Sequence, residues 1–236
     1  MIIIPARLGS TRFPNKVLVD INGLPMVIAT ANQVKSIDDV VIATDSQTVV
    51  DKAKEFGFDA IMTSDAHKSG TDRINEAVQK LNLPKDEIVL NVQADEPFVE
   101  PEVVQKVYDR VKTALQTQEN FMMVSCYKKI DNFHADDPNL VKVVLDAKQR
   151  AIYFSRSKIP YNRGKIDSYC GHIGIYGFSA NSLQEFCSLP PAPIEDIEKL
   201  EQLRAIYHDK KILMVEVETS SFGIDTIHDL ERALTL

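Results

Sequence analysis

Short, continuously apolar runs separated by helical patterns constrain the fold of this chain more than any other feature. The runs have the length of strands and cover residues 2–4, 40–43, 60–62 and 88–92. Between them, the spacing of amphipathic helices covers residues 25–34, 47–56, 72–81 and 102–115. Strands that alternate with helices through short links predict a parallel sheet covered by helices, and strands without polar positions fit burial on both faces.

After residue 120 the pattern changes, because strand-like segments follow one another with few helices between them. These segments cover residues 121–127, 141–145, 151–154 and 172–178, and they predict a β-rich, partly antiparallel section. Helical patterns return at 180–189 and 195–207, and a strand at 212–217 precedes a final helix at 226–234. No linker-like or low-complexity tract interrupts the chain, so we expect one domain over residues 1–236 with a β-rich insert at roughly 121–180.

The overall composition excludes several classes of protein. With 34 acidic and 27 basic residues the formal net charge is -7, which argues against a general surface for nucleic acid or anionic membranes. No apolar run reaches the length of about 18 residues that a membrane span needs. The cysteines, Cys126, Cys170 and Cys187, are odd in number and lack metal-ligand spacing, so we expect the cytoplasm and no zinc site.

The loop that follows the first strand, residues 7–16, combines small residues with cations. Ligands of open parallel sheets bind outside the carboxyl ends of the strands, where this loop should lie. Gly9 and Ser10 would let backbone N–H groups approach an anion, and Arg7, Arg12 and Lys16 add positive charge. Neither GxGxxG nor GxxxxGK[ST] occurs, which excludes the ordinary dinucleotide and P-loop motifs. From this segment alone, a solvated charged loop is an equally good explanation.

Two acidic positions are candidates for a metal site. Asp95 and Glu96 follow the strand at 88–92, and carboxylates at the end of a parallel strand suit Mg²⁺, although Asp-Glu-Pro is also good turn chemistry. Asp225 lies between a short apolar segment and a helix. It is either a second ligand that meets Asp95 in space or, more commonly for such an aspartate, an acid at a helix N-terminus.

Two polar groups could recognise the rest of a substrate. Ser69, Thr71 and the backbone around Gly70 could bind a base or ribose, whereas capping of the following helix by Thr71 needs no ligand. A second group could hold a sugar acid, with a cation for the carboxylate and ring donors for hydroxyls. Its members are Arg156, His172 and Tyr176 on β-type segments and Glu198, Glu201 and Gln202 on one predicted helix. A solvated helix face and a core histidine explain the same residues without a ligand.

Ten motifs follow one another in a single order along the chain. They are IPARxxSTRxPxK, NGxPM, ATD, HxSGTDR, NVQxDEP, DPNxVKVVxD, YFSRSxIPY, HIGIYGF, ExLEQLR and GIDTxxDL. In this order they resemble the 3-deoxy-manno-octulosonate cytidylyltransferase family, also called the CMP-Kdo synthetases. The resemblance extends from residue 2 to about residue 230 and so covers nearly the whole chain.

The resemblance implies a fold and a reaction. The implied fold is a three-layer α/β nucleotidyltransferase with a Rossmann-like, mostly parallel sheet and a β-rich insert used for dimerisation. The implied reaction transfers CMP from CTP to the sugar acid Kdo with Mg²⁺ as cofactor, and it releases CMP-Kdo, which feeds lipopolysaccharide assembly, and pyrophosphate. The expected partners are these small molecules and a second copy of the chain, with no nucleic acid or membrane.

The resemblance also implies roles for individual residues. Arg7 and Lys16 would bind the CTP phosphates, Asp95 and Asp225 would hold the metal, and these residues form the implied catalytic set. The implied nucleotide-binding positions are Pro5, Ala6, Arg7, Ser10, Lys16, Ser69, Gly70, Thr71, Arg73 and Gln93. The implied sugar-binding positions are Gln93, Arg156, His172, Tyr176, Glu201 and Gln202.

Some positions depart from the family pattern. Ala94 and Gln149 stand where the family commonly has glycine, Gly171 stands where a basic residue is common, and the segment 163–170 is short. Three alternatives therefore stay open. They are a cytidylyltransferase for 8-amino-Kdo, one for a sialic acid, and a non-catalytic nucleotide-binding protein that has kept the fold.

Overall fold

A computed structural model describes residues 1–9, 13–164, 168–224 and 226–234, and a nine-stranded mixed sheet is its main feature. The strands are β1 (Ile2–Ala6), β2 (Asp20–Ile21), β3 (Leu24–Pro25), β4 (Val40–Thr44), β5 (Asp59–Met62), β6 (Ile88–Asn91), β7 (Met123–Asp131), β8 (Lys142–Leu145), β9 (Ala151–Ser155), β10 (Ser168–Ser179) and β11 (Ile212–Glu216). Of these, β2 and β3 form a separate two-stranded hairpin.

The strand order in the main sheet is β11-β7-β10-β6-β1-β4-β5. The neighbours β6, β1, β4 and β5 are parallel, which confirms the parallel sheet predicted for the N-terminal part of the chain. Strand β10 lies antiparallel between β6 and β7, and its N-terminal part extends beyond β6, where it pairs with β7 on one side and with β8 on the other, and β8 pairs with β9. The partly antiparallel section expected after residue 120 is therefore confirmed.

Helices cover both faces of the sheet, as the three-layer prediction requires. They are α1 (Met26–Val34), α2 (Gln47–Glu55), α3 (Gly70–Lys80), α4 (Pro101–Gln116), α5 (Ala180–Ser188), α6 (Pro193–Glu198), α7 (Leu203–Tyr207) and α8 (Ile227–Ala233), with 3-10 helices at Lys16–Leu18 and His134–Asp136. One apolar cluster contains residues of α1, α2 and α4, and another contains residues of α3, α5 and α7. Strand β1 contributes to both clusters, because Ile2 and Ile4 belong to the first and Ile3 to the second.

The single helix predicted over residues 195–207 is wrong. The chain instead forms α6 and α7, separated by a turn in which Lys199 adopts the left-handed conformation with φ of 53°. That conformation ends a helix, and Glu201 then lies beyond the break. Glu198 and Glu201 therefore do not share one helical face, although they are three residues apart.

The caps of the helices follow the sequence only in part. The hydroxyl of Ser69, not that of Thr71, caps α3 by accepting a hydrogen bond from the Asp72 N–H. Ser46 precedes α2 but makes no side-chain cap hydrogen bond. Thr226 caps α8 through a reciprocal pair of hydrogen bonds with Asp229, which confirms the start of the final helix predicted at 226.

Two positions that depart from the family pattern have a structural explanation. Gln149 adopts φ of 57° in the turn between β8 and β9, so the backbone conformation that favours glycine is kept without a glycine. At Gly171, a Cβ atom would lie 2.9 Å from Cγ2 of Ile130. The basic residue common in the family would have to displace Ile130 here.

Two further expectations concern the whole chain. No helix within the described ranges is both long and apolar enough to span a bilayer. The three cysteines all lie in those ranges, and each is a free thiol.

Candidate active site

The carboxyl ends of β1 and β6 bring the opening loop and the NVQADEP segment together. Strand β1 pairs with β6 in parallel, with Ile3 opposite Asn91, so the chain leaves both strands at the same edge of the sheet. There Nζ of Lys16 lies 2.6 Å from Oδ2 of Asp95. The lysine implied to bind phosphate and the aspartate implied to bind metal are thus in direct contact, 79 residues apart in sequence.

An apolar cluster holds the opening loop in place. Phe13 packs with Ile21 and Met26 from the same part of the chain and with Ile224 and Ala233 from the C-terminal part. Its burial brings the segments before Lys16 and before Asp225 to the same place, and burial of such side chains stabilises the arrangement by about 1.5–3 kcal/mol each.

Three site positions of the sequence analysis, Ser10, Arg12 and Asp225, lie outside the described residues. The neighbour of Asp225 is described, and the Ile224 N–H donates to the backbone carbonyl of Asp95 at 2.9 Å. The GIDT segment therefore approaches the Asp95 loop, as a shared metal site requires. Arg7 is exposed and makes no hydrogen bond or ion pair with any described residue.

The acidic pair Asp95–Glu96 has two partly buried carboxyl groups in different surroundings. The side chain of Asp95 is 26% exposed. Burial, and secondarily the neighbouring Asp95 charge, raises the pKa of Glu96 to about 8. The Ser221 hydroxyl donates to Glu96 at 3.4 Å, so this carboxyl group is held against the C-terminal segment.

The available donors fit Mg²⁺ better than a metal enclosed by protein. Within the described ranges, no group of three or more His, Cys, Asp or Glu side chains gathers as a complete metal cage. Mg²⁺ is commonly held by one or two carboxylates together with substrate phosphates and water. Asp95, with Asp225 as its implied partner, is a donor set of that kind.

The first turn of α3 packs closely on the end of β1. A Cβ atom at Gly70 would lie 3.1 Å from Cγ of Pro5 and 3.6 Å from Oε1 of Gln93, so glycine permits this approach. Gln93 is oriented by its donation to Oδ1 of Asn91 at 2.9 Å. Pro5, Gly70 and Gln93 thus form one continuous wall, and the buried Ala6 ends β1 beside it.

Arg73 is buried and fully engaged with protein groups. Its guanidinium donates to Asp45 at 2.7 Å and to Thr63 at 2.6 Å, and its side chain is only 3% exposed. These contacts tie α3 to the ends of β4 and β5. Arg73 thereby fixes the position of α3, which carries Gly70. The ATD motif is the sequence signal for its partner Asp45.

His172 and Tyr176 lie side by side on β10. Their ring centroids are 5.5 Å apart, and the His172 ring also contacts Phe154 edge-on at 5.0 Å. His172 Nε2 lies 3.0 Å from the Ser125 hydroxyl. Burial lowers the pKa of His172 to about 3 and raises the pKa of Tyr176, so both rings are neutral near pH 7.

A network of carbonyl and carboxylate groups holds Arg156. Its Nε donates to the backbone carbonyl of Glu198 at 2.8 Å, and the Glu198 carboxylate accepts from the Arg156 N–H and the Ser155 hydroxyl. Lys142, whose side chain is fully buried, donates to the carbonyls of Asp137 and Arg156. Sequence reasoning gave no role to Lys142, although it lies in the DPNxVKVVxD motif.

Glu201 and Gln202 present buried polar atoms that lack partners. Among the described residues, neither Oε1 of Glu201 nor Nε2 of Gln202 has a hydrogen-bond partner. The other Glu201 oxygen accepts from the Thr71 hydroxyl at 2.6 Å. Nη2 of Arg204 lies 3.8 Å from Oε1 of Glu201, too far for a hydrogen bond. A buried acceptor and a buried donor on adjacent residues, both without hydrogen bonds, could be satisfied by a polyhydroxylated ligand.

The candidate residues therefore form two groups joined by α3. One group surrounds the Lys16–Asp95 pair. The other contains His172, Tyr176 and Glu201, since the Glu201 charge contributes to raising the pKa of Tyr176. The Thr71–Glu201 hydrogen bond spans 130 residues of sequence and connects the groups.

Comparisons with known proteins agree with this geometry. The family described as Cytidylyltransferase matches residues 1–212. The 3-deoxy-manno-octulosonate cytidylyltransferase of a Nitratiruptor species is 56% identical over 232 residues, which cover 98% of this chain and 97% of the relative. The enzyme of that name from Wolinella succinogenes is 52% identical over 240 residues, which cover 100% of this chain and 98% of the relative.

A solved structure extends the similarity to three dimensions. It is a CMP:2-keto-3-deoxy-manno-octonic acid synthetase complexed with CTP, with a TM-score of 0.90 and 37% identity over 99% of this chain and 96% of that chain. Similarity of this extent, in sequence and in fold, shows that the chain belongs to the 3-deoxy-manno-octulosonate cytidylyltransferase family.

Proposed function

We propose that this protein transfers CMP from CTP to the anomeric hydroxyl of Kdo. The products are CMP-Kdo, for lipopolysaccharide biosynthesis, and pyrophosphate. The observation that carries the proposal is the contact between Lys16 and Asp95 at the carboxyl ends of β1 and β6. A phosphate-binding cation and a metal-binding carboxylate meet there, in a chain whose full-length relatives are named for this reaction.

The phosphate side of the reaction is assigned to Arg7, Lys16 and the wall formed by Pro5 and Gly70. Arg7 is exposed and Lys16 is partly exposed beside it in the same loop, so both can turn toward a triphosphate. Their charges offset the negative charge that moves to the leaving pyrophosphate during in-line displacement. Glycine at position 70 permits the close approach of α3 to Pro5 that forms this wall.

The metal is assigned to Asp95 and Asp225. When bound, Mg²⁺ supplies positive charge to the phosphates and lowers the pKa of the attacking hydroxyl. Asp95 holds it from the end of β6, and the Ile224–Asp95 backbone hydrogen bond supports the proximity of Asp225. With the metal on Asp95, Lys16 would be available to the phosphates, because two cations share one carboxylate poorly.

The sugar side is assigned to residues of β10 and of the α6–α7 segment. Arg156 carries the positive charge that suits a carboxylate, while neutral His172 and Tyr176 offer ring donors to hydroxyls. The unpartnered atoms of Glu201 and Gln202 support a hydroxyl-rich ligand. Catalysis then consists of positioning the sugar hydroxyl in line with the α-phosphorus and excluding water from it.

We further propose a cytoplasmic homodimer that associates through the β-rich insert. Three large side chains of the insert support this association by their exposure: Phe133 at 82%, Ile152 at 53% and Tyr161 at 86%. Free thiols at Cys126, Cys170 and Cys187 support a reducing compartment.

Pyrophosphate release tests the proposal. The purified protein is incubated with CTP, Mg²⁺ and Kdo, 8-amino-Kdo or N-acetylneuraminate, and ATP, GTP and UTP serve as nucleotide controls. Release with CTP and Kdo, at a higher kcat/KM than with the other acids, is the expected result. Preference for another acid would show that the assignment of Arg156, His172 and Tyr176 to Kdo is wrong, while the reaction type would stand. If folded protein binds CTP but releases no pyrophosphate with any acid, the non-catalytic alternative is favoured.

A further inference from the structure

The hydroxyl of Thr71 lies on the first turn of α3, between the two substrate groups. Thr71 is 5% exposed, and its Oγ1 donates to Oε2 of Glu201 at 2.6 Å. It does not cap α3, because the Ser69 hydroxyl performs that function. The Thr71 hydroxyl therefore has no capping role. It donates instead to a carboxylate 130 residues away in sequence.

Glu201 depends on few contacts for its orientation. It lies beyond the left-handed turn at Lys199, in the short segment between α6 and α7, so no long helix fixes it. Arg204 is 3.8 Å away but is clamped by two hydrogen bonds to Glu195. The Thr71 hydroxyl donates to Oε2 of Glu201 at 2.6 Å, and the Ser69 hydroxyl also favours the charged carboxylate.

This contact leaves the other Glu201 oxygen available. Oε1 accepts no hydrogen bond from a described residue, although Nη2 of Arg204 lies 3.8 Å from it, and it lies in the group that contains Tyr176. With Oε2 held by Thr71, Oε1 is left to accept a hydrogen bond from a ligand hydroxyl. Burial raises the pKa of Glu201, while the hydroxyls of Thr71 and Ser69 lower it and so favour the charged acceptor.

We propose that Thr71 is a positioning residue for the sugar acid, acting through Glu201, and not a contact for the nucleotide. The inference rests on the proposed function, because it takes Kdo as the ligand of Glu201. The Thr71 hydroxyl of the SGTDR motif is thus assigned to the sugar and not to the nucleotide. Gly70, in contact with Pro5, stays on the nucleotide side.

Steady-state kinetics with Thr71→Val and Thr71→Ser test the role. Valine keeps the volume and removes the hydroxyl, so KM for Kdo should rise by about tenfold or more, as for loss of a hydrogen bond to a charged group. KM for CTP should stay unchanged. Serine keeps the hydroxyl and should restore KM for Kdo. Thr113→Val, on the exposed face of α4, is the matched control and should behave as the unmodified protein.

A double-mutant cycle separates positioning from general damage. In a Glu201→Gln background, Thr71→Val should cause no further rise in KM for Kdo, because its target is already altered. Thermal unfolding of each variant establishes folding, and Thr71→Ala replaces Thr71→Val if the valine variant does not fold.

The outcomes are distinct. A rise in KM for CTP with KM for Kdo unchanged, no change in either constant, or additive effects in the cycle would overturn the positioning role. Absence of turnover by the unmodified protein with CTP and Kdo would reject the proposed function and this role with it.

Discussion

Lys16 and Asp95 form an ion pair at 2.6 Å where β1 and β6 deliver their loops to one edge of the sheet. The two side chains are 12% and 26% exposed, so the pair is partly shielded from water. Each residue has an implied ligand of opposite charge, phosphate for the lysine and Mg²⁺ for the aspartate. The two side chains satisfy one another at the place where these ligands are proposed to bind.

Removal of the lysine charge should impair catalysis much more than folding. We expect Lys16→Met to lower kcat/KM for CTP by about 100-fold or more, the effect of losing one preorganised charge at the reacting phosphates. The measurement is pyrophosphate release at varied CTP, with circular dichroism as the check of folding. Lys52→Met removes an exposed partner of Glu55 and should leave the kinetics unchanged. Equal kinetics of the Lys16 variant and the control would contradict the phosphate assignment.

Neutralising Asp95 and neutralising Asp225 should have the same effect on turnover and on its Mg²⁺ dependence. We expect Asp95→Asn and Asp225→Asn each to reduce turnover by about 100-fold or more while the protein stays folded. The Mg²⁺ concentration for half-maximal activity should rise, because one metal-binding charge is lost. The measurement is a Mg²⁺ titration of activity, with exposed Asp51→Asn as control. Normal Mg²⁺ dependence in a folded Asp225→Asn protein would remove Asp225 from the metal site.

Arg73 should matter for stability before it matters for nucleotide affinity. Arg73→Met leaves Asp45 without its buried partner, and we expect the free energy of unfolding to fall by about 3 kcal/mol. Urea unfolding measures this change. Arg110→Met removes the more exposed pair with Glu119 and should cost less than about 1 kcal/mol. A variant of unchanged stability with a raised KM for CTP would show that Arg73 contacts the nucleotide.

His172 should make the fold sensitive to acid. Its pKa is about 3 in the folded protein and 6.5 in the reference state, so below pH 6.5 the unfolded chain binds the additional proton. Its contribution to stability is complete above pH 6.5 and is lost at about 1.4 kcal/mol per pH unit as pH falls toward 3.

The acid effect is measured by urea unfolding at pH 7 and pH 5. The unmodified protein should lose about 2 kcal/mol through His172 over this interval, and His172→Gln should lack that loss. His228→Gln, at an exposed position, should keep it. The same acid loss in His172→Gln would show that other groups cause it.

The exposed insert should govern association. We expect the protein to sediment as a dimer, and the double variant Phe133→Ser, Tyr161→Ser to shift it to monomer by removing apolar contact area. Phe56→Ser, outside the insert, should stay dimeric. A monomeric unmodified protein, at the concentrations used for the activity assay, would contradict the proposed interface.

The parallel part of the sheet could be predicted because its signals are local. Strands β1, β4 and β6 are continuous apolar runs, and the helices between them keep their spacing. The insertion of β10 between β6 and β7 could not be predicted, because strand order depends on pairing between distant segments. The register that places Tyr176 opposite Asn91 has no counterpart in local sequence.

In the candidate site, too, local features could be predicted and contacts between distant segments could not. Loops at strand ends could be recognised, and the Lys16–Asp95 meeting point follows from parallel neighbours. The break at Lys199 was missed because a lysine, not a glycine, adopts the left-handed conformation there. Glu198 consequently turned out to bind Ser155 and the Arg156 backbone, a contact across more than 40 residues that helical spacing hides.

Strand β10 has a consequence for how substrate choice can evolve or be engineered. It carries His172 and Tyr176 and pairs with β7 over residues 168–177 and with β6 over residues 176–179, so it fixes the position of the two proposed sugar-binding rings relative to the loop that bears Asp95. A Cβ atom at Gly177 would lie 2.5 Å from Val111 of α4, so close packing against α4 holds β10 in this position. We therefore expect acceptance of a longer or shorter acid to come from changes around Arg156 and Glu201, while the distance between β10 and the Asp95 loop stays constant.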